Sequence, residues 1–289
     1  MRNILLISAA LILTGCASLQ NYVEATAIPD ATVGLSEFTS VNNASSQTVD
    51  HAAFDQFLGK YLVTTAANNP VTQGASLIRY QEVSATDSQA LNDYIDRLQN
   101  TAVSDLNRNE QLAFWINLYN AETIRVILEN VPVASIRDIQ TSVFDVKGPW
   151  NDIRLNVEGT DLALEDIENK IVRPIYQDAR IHYGLNCAAI GCPNLLGEAY
   201  TADNLERNLE AQARAFINNP RGVKIENGEL TLSRIFLWYE SDYGETKDDI
   251  LVHIRQYALP DLTDNLTGIT SITRYEYDWS INDAARIDP

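Results

Sequence analysis

A helix that is apolar nearly all the way round exists in water only if the rest of the chain wraps it, and this sequence holds one between Asn107 and Asn130. Asn107 followed three residues later by Glu110 forms a capping pair that opens the helix, and Pro132 stops it. Its main stripe is Leu112, Trp115, Ile116, Tyr119 and Val126, while Phe114, Leu118, Ala121 and Leu128 occupy the other side. Asn117 and Asn120 lie three apart on one flank, where buried amides must find partners or cost stability. Everything else in the fold has to be arranged around this segment.

The remaining pattern supplies short elements to do so. Helical spacing is present over His51–Leu62 and Ala85–Gln99, both expected to be peripheral. Arg154–Leu164 is expected to be a hairpin turning at Glu158-Gly159-Thr160, and Glu165–Tyr176 an amphipathic helix with Pro174 near its end. Ala179–Asn186 alternates as a half-buried strand, with Arg180, His182, Gly184 and Asn186 on its polar face. Thr201 is expected to cap a helix that turns Leu205, Leu209, Ala213 and Phe216 inward. Asn227-Gly228 predicts a tight turn inside a Val223–Ile235 hairpin, Asp248–Tyr257 a helix, and Ile272–Ile281 an aromatic strand. The expected fold class is α+β: a buried central helix packed on a small, mostly antiparallel sheet with peripheral helices.

The N-terminus bounds the compartment. Arg2, the apolar run Ile4–Leu13 and Thr14-Gly15 have the three parts of an export signal, and the run is too short to span a bilayer. Leu13-Thr14-Gly15-Cys16 fits the bacterial lipobox, so Cys16 is expected to carry the lipid after cleavage of residues 1–15. Ala17-Ser18 lack the aspartate that retains such proteins in the inner membrane of enteric-type bacteria, which points to the outer membrane, facing the periplasm. Residues 16–50 are polar, broken by Pro29, and read as a tether. Residues 51–289 show no repeat or second linker and are expected to form one domain. Loss of Arg2 leaves 20 basic against 39 acidic residues, a charge of −19, which excludes nucleic acid as a partner and leaves a peptide or glycopeptide open.

Chemistry concentrates at one place. Of the three histidines, His51 and His253 fall in amphipathic helices and read as packing residues. His182 instead leads directly to Cys187 and Cys192, the only cysteines besides Cys16. In one reading Cys192 is a catalytic nucleophile, His182 its base and Asn117 the residue that orients the ring, with Cys187 and Asn120 in support. Gly191 uncovers the sulfur and Pro193 can start a helical turn beside it. In a second reading Cys187 and Cys192 form a disulfide, as exported cysteine pairs commonly do. A zinc site of His182, Cys187, Cys192 and a carboxylate is a third, but the spacing matches no common zinc module, and neither a metal nor another cofactor is expected. Trp115, Trp150, Trp238 and Tyr239 are aromatic enough to line a peptide or glycan groove, though such spacing mostly marks core. Asp242 and Glu240, beside Trp238-Tyr239, could orient a histidine, though the default for both is a solvated loop acid.

The segments Asn109–Ala121, Arg180–Pro193, Tyr200–Leu205 and Tyr277–Ser280 resemble the domain of unknown function 547. The likeness runs from about Phe54 to Asn282, with Gly184 and Gly191 standing where alanine and serine are usual. Its order of elements is similar to papain-like and transglutaminase-like cysteine hydrolases, which implies a cysteine-proteinase-like arrangement. There the nucleophilic cysteine opens the central helix, whereas this helix carries Trp115, Asn117 and Asn120 and no thiol. Two functions follow as expectations: a thiol hydrolase or acyltransferase acting on a peptide-like bond, or a non-catalytic envelope binding or assembly module with a Cys187–Cys192 bridge.

Overall fold

The computed structural model describes residues 34–66, 68–69, 72–139 and 148–286. The leader and Cys16 lie outside these residues. Around the central helix α3 (Arg108–Asn130), the chain places α1 (Ala52–Tyr61) and α2 (Ala85–Gln99) before it, and α4 (Leu205–Ile217) and α5 (Lys247–Tyr257) after it. Among the described residues the strands are short and fall into three small sheets. β1 (Leu62–Thr64) pairs with β2 (Ser76–Ile78), β3 (Leu155–Val157) with β4 (Thr160–Leu162), and β5 (Val223–Glu226) with β6 (Glu229–Ser233), all antiparallel; β7 (Arg274–Glu276) then runs parallel to β6. The class is α+β, as expected.

Helix α3 is wrapped as its sequence demands: every residue from Glu110 to Ile124 is buried. The Asn107 side chain accepts from the Glu110 N–H, so half of the expected capping pair forms. The Glu110 carboxylate does not return the bond; it accepts from the backbone N–H groups of Val49 and Ala202 and pins two loops to the helix. Gln111 does the same for the carbonyls of Ser40, Val103 and Leu106. The expectation that α3 packs on a sheet is corrected, because its main neighbours are α2 and a π-helix, Ile167–Val172. Strands of three to five residues offer no face large enough to cover a helix of 23.

Several elements sit where the pattern put them. Both hairpin turns have left-handed residues at the two turn positions, Glu158-Gly159 and Asn227-Gly228, which is the backbone that a two-residue turn between twisted strands needs. Leu205, Leu209, Ala213 and Phe216 are buried on α4, but that helix starts at Leu205, with Thr201 holding the turn before it. The segment Ala179–Tyr183 is a 3-10 helix and not the predicted strand, because the chain tightens onto i→i+3 bonds after Asp178 caps it. The aromatic strand contracts to β7, with Ala189 and Ile281 forming an isolated bridge beyond it.

The stretch expected to be tether up to Asp50 is docked from the first described residues. The Leu35 N–H donates to the Lys170 carbonyl, and Phe38 is 3% exposed with its ring edge-on to Trp115, centroids 4.9 Å apart. One aromatic and a few backbone bonds suffice to hold a polar segment that has no periodicity of its own. Among the described residues, no helix is long and apolar enough to cross a membrane.

Candidate functional site

The two cysteines lie on a loop that closes on itself through one amide. Asn186 donates to the Pro193 carbonyl and accepts from the Ala188 N–H. Asn120 of α3 grips the loop from beneath: its amide donates to the Gly184 carbonyl at 2.9 Å and accepts from the Asn186 N–H at 2.8 Å. From the other side the C-terminal segment bonds to the loop, with Ile190 and Gly191 donating to the carbonyls of Ser280 and Asp278, and Asn282 donating to that of Ala188. A Cβ on Gly191 would sit 2.8 Å from the Asp278 nitrogen, so the absence of a side chain permits this approach. Arg221 completes the clamp by donating to the carbonyls of Ile190 and Cys192 and to the Asn194 side chain. Ala188 is held at φ 59°, a left-handed conformation rare for a residue with a Cβ, directly after the first cysteine.

This clamp fixes the sulfurs. Both thiols are free, and the Cys187 N–H donates to the Cys192 Sγ at 2.9 Å. The Tyr277 hydroxyl lies 3.0 Å from the Cys187 Sγ. Cys192 is 4% exposed and Cys187 half-buried. Burial pushes the Cys192 thiol up, but hydrogen bonds from the Cys187 thiol, the Tyr277 hydroxyl and the Cys187 N–H outweigh it and leave its pKa below the ordinary value. Cys187 moves the other way, well up, because its proton is held by Cys192 and its charge would be buried beside another. Burial and the neighbouring sulfurs raise Tyr277 well above the usual phenol range, so it stays a donor. Burial lowers Arg221 to about 10, still a cation at neutral pH.

His182 does not join this group. Its Nε2 bonds Asp242 at 2.7 Å, and the same carboxylate takes two hydrogen bonds from Arg173, at 2.6 and 3.0 Å. Neither sulfur has a hydrogen bond with the ring, whose face is stacked on Tyr239 with centroids 4.0 Å apart. The Tyr239 hydroxyl donates to Glu168, which also accepts from Tyr119 at 3.0 Å. Glu168 and Asn169 are supplied by the π-helix, and Arg173, which follows it, donates to Asn169. Burial works against the Asp242 carboxylate, yet His182 and Arg173 hold it down at about 2. His182 Nδ1 is buried without a hydrogen-bond partner.

Two assignments made from sequence are thereby corrected. Asn117 does not orient His182: its amide bonds both backbone groups of Tyr200 and lies 3.3 Å from the His51 ring. The residue that does hold His182 is Asp242, one of the two acids that could orient a histidine, and with a side chain 10% exposed it is not the solvated loop acid of the default reading. Its signal was its spacing: three residues after Tyr239, it turns to the same side of a helical turn. Tyr277, Glu168 and Arg221 carried no signal beyond their type. His51 and His253 behave as packing residues, bonded to Tyr94 and Tyr183. The zinc reading finds no ligand set, since among the described residues no group of three His, Cys, Asp or Glu comes together to hold a metal.

The cysteine loop and the amides of α3 that grip it fall in the segments Arg180–Pro193 and Asn109–Ala121, which resemble the domain of unknown function 547. Residues 103–217 match the family DUF547, proteins of unknown function. No curated protein and no solved structure matches the chain. The DUF547 segment contains both cysteines, Asn120, Glu168, Arg173 and His182, whereas Arg221, Tyr239, Asp242 and Tyr277 lie beyond it.

Proposed function

We propose that this chain is a lipid-anchored envelope protein that performs covalent chemistry at the Cys192 sulfur, as a thiol hydrolase or acyltransferase acting on a peptide-like bond. The observation that carries the reading is the cradle of Cys192, a buried sulfur that accepts the Cys187 N–H at 2.9 Å, with the Tyr277 hydroxyl beside it on the Cys187 sulfur. A thiolate formed this way needs no histidine to take its proton. It attacks the acyl carbon, a C–S bond forms, and the bond to the leaving group breaks as that group takes up the proton the thiol had lost. Water or an acceptor amine then cleaves the thioester and restores the thiol. The likeness to cysteine proteinases supports this as an analogy of parts, a buried helix beside a thiol, with the thiol on a loop gripped by the helix. Lipid on Cys16 and sorting to the outer membrane belong to the same reading and rest on the lipobox and on Ala17-Ser18.

The test is labelling of the reduced protein by an acyl-type electrophile, read by mass at each cysteine. Cys192 is expected to label first, and Tyr277→Phe to slow it severalfold with the pH midpoint of the rate displaced upward. His182→Ala should slow it less. Equal labelling in Tyr277→Phe and the parent overturns the cradle. The alternative, a binding or assembly module with a permanent Cys187–Cys192 bridge, is favoured by the contact between the two residues, and an unreduced mass lacking two hydrogens that resists reductant in the folded protein identifies it.

A further inference from the structure

We propose that Cys187 and Cys192 form a reversible disulfide that exchanges electrons with an external low-molecular-mass thiol, with Cys187 the sulfur that is attacked and Cys192 the one released. The proposal goes beyond the acyl-transfer reading and shares with it only the sulfur of Cys192.

Proximity comes first. The Cys187 N–H points at the sulfur of Cys192 from 2.9 Å, and the Cys187 sulfur lies 3.0 Å from the Tyr277 hydroxyl. The loop that carries them is held by Asn120, Asn186, Arg221 and the Ser280, Asp278 and Asn282 backbone, so the two sulfurs are kept together and not brought together by chance. A bond between them closes a short ring in backbone that is already folded back on itself.

Access and charge then give the pair a direction. Cys192 is 4% exposed and Cys187 half-buried, so Cys187 is the residue of the pair nearer to an incoming thiolate. Its attack forms a bond to Cys187 as the Cys187–Cys192 bond breaks, and the electron pair departs on Cys192. That sulfur leaves into a ready environment: the Cys187 N–H, the Tyr277 hydroxyl and the positive Arg221 bound to the Cys192 carbonyl. A second external thiolate attacks the external sulfur of the mixed disulfide, releasing Cys187, which takes up a proton. Two external thiols are oxidised to one disulfide, and the pair gains two electrons and, with Cys192 protonated as well, two protons. The reverse sequence, driven by the external disulfide, closes the bridge again.

Donors that stabilise the released thiolate stabilise the reduced pair, which makes the bridge more oxidising than one between ordinary thiols. A closed bridge also removes the Cys192 nucleophile, so the same exchange would switch the covalent chemistry off and on.

The experiment equilibrates the mature chain with mixtures of reduced and oxidised glutathione, quenches in acid, alkylates the free thiols and reads the masses. Bridged and open forms are expected to interconvert reversibly over the series. In Tyr277→Phe the bridge should survive at a severalfold higher proportion of reduced glutathione, because the thiolate has lost a donor. Cys192→Ser should collect glutathione on Cys187 much faster than Cys187→Ser collects it on Cys192. A parent chain bridged in every mixture, or in none, overturns the proposal, and equal glutathione capture by the two serine variants overturns its direction. Acyl labelling of the fully reduced chain is measured separately: reversible bridging without labelling retains this proposal and removes the acyl-transfer reading.

Discussion

Asp242 accepts hydrogen bonds from the Arg173 guanidinium and the His182 ring while its side chain is 10% exposed and that of Arg173 only 1%. Deleting its carboxylate takes from a buried cation a charge partner that holds it by two hydrogen bonds, and breaking such a buried pair typically costs about 3–5 kcal/mol. Asp242→Ala is therefore expected to lose stability on that scale in urea unfolding, and a loss under 1 kcal/mol would show that the pair is not desolvated. Residues such as this one are hard to see in a sequence because their role is set by a partner far along the chain, here 69 positions away. Cys187 and Cys192 were visible because thiols are scarce; Tyr277, one tyrosine among 13, was not.

At the level of elements, α3 does two jobs with one surface. Its apolar residues make the core, and its few polar ones, Glu110, Gln111, Asn117 and Asn120, hold the loops that cross it. Asn120→Ala would remove the partners of the Gly184 carbonyl and the Asn186 N–H, each costing about 1–3 kcal/mol when left buried and unpaired. It is expected to lower the unfolding midpoint and to speed alkylation of Cys192 by loosening its loop; unchanged alkylation would mean that Arg221 and the C-terminal segment hold the loop alone. The helix itself was readable because 23 residues carry a strong period, and so were the two hairpins, whose turn residues act locally. The 3-10 turn at His182 was not, since five residues of alternating polarity fit a strand equally well and only the Asp178 cap decides between them. The π-helix likewise follows from packing on α3, not from any period in its residues.

For the molecule as a whole, acid is expected to weaken the fold in two stages. Burial is the main cause that lowers His253 to about 4, and it lowers His51 in the same direction. Both are favoured neutral when folded, so their stabilisation is complete above the unfolded histidine value of about 6.5 and is lost as pH falls below it, levelling near 4 for His253. That loss is on the order of 3 kcal/mol for a shift of this size. Asp242, with its pKa held at about 2, contributes the second stage: its share is present above the unfolded carboxylate value of about 3.9 and disappears as pH falls toward 2. Thermal unfolding from pH 7 to pH 3 should show the first decline, and His253→Gln should flatten it; a parent curve level from pH 6.5 to 4 would contradict the buried, neutral assignment.

The docking of the chain from Leu35 onward sets a length scale for the lipid-anchored reading. Position 16 and position 35 are separated by 19 residues, and a fully extended chain spans at most roughly 3.4 Å per residue, so in that reading the domain surface at Leu35 stays within about 65 Å of Cys16. The domain, and the cysteine loop with it, would then be kept close to the bilayer, and inserting residues between 16 and 34 would widen its territory without altering a single contact at the sulfurs.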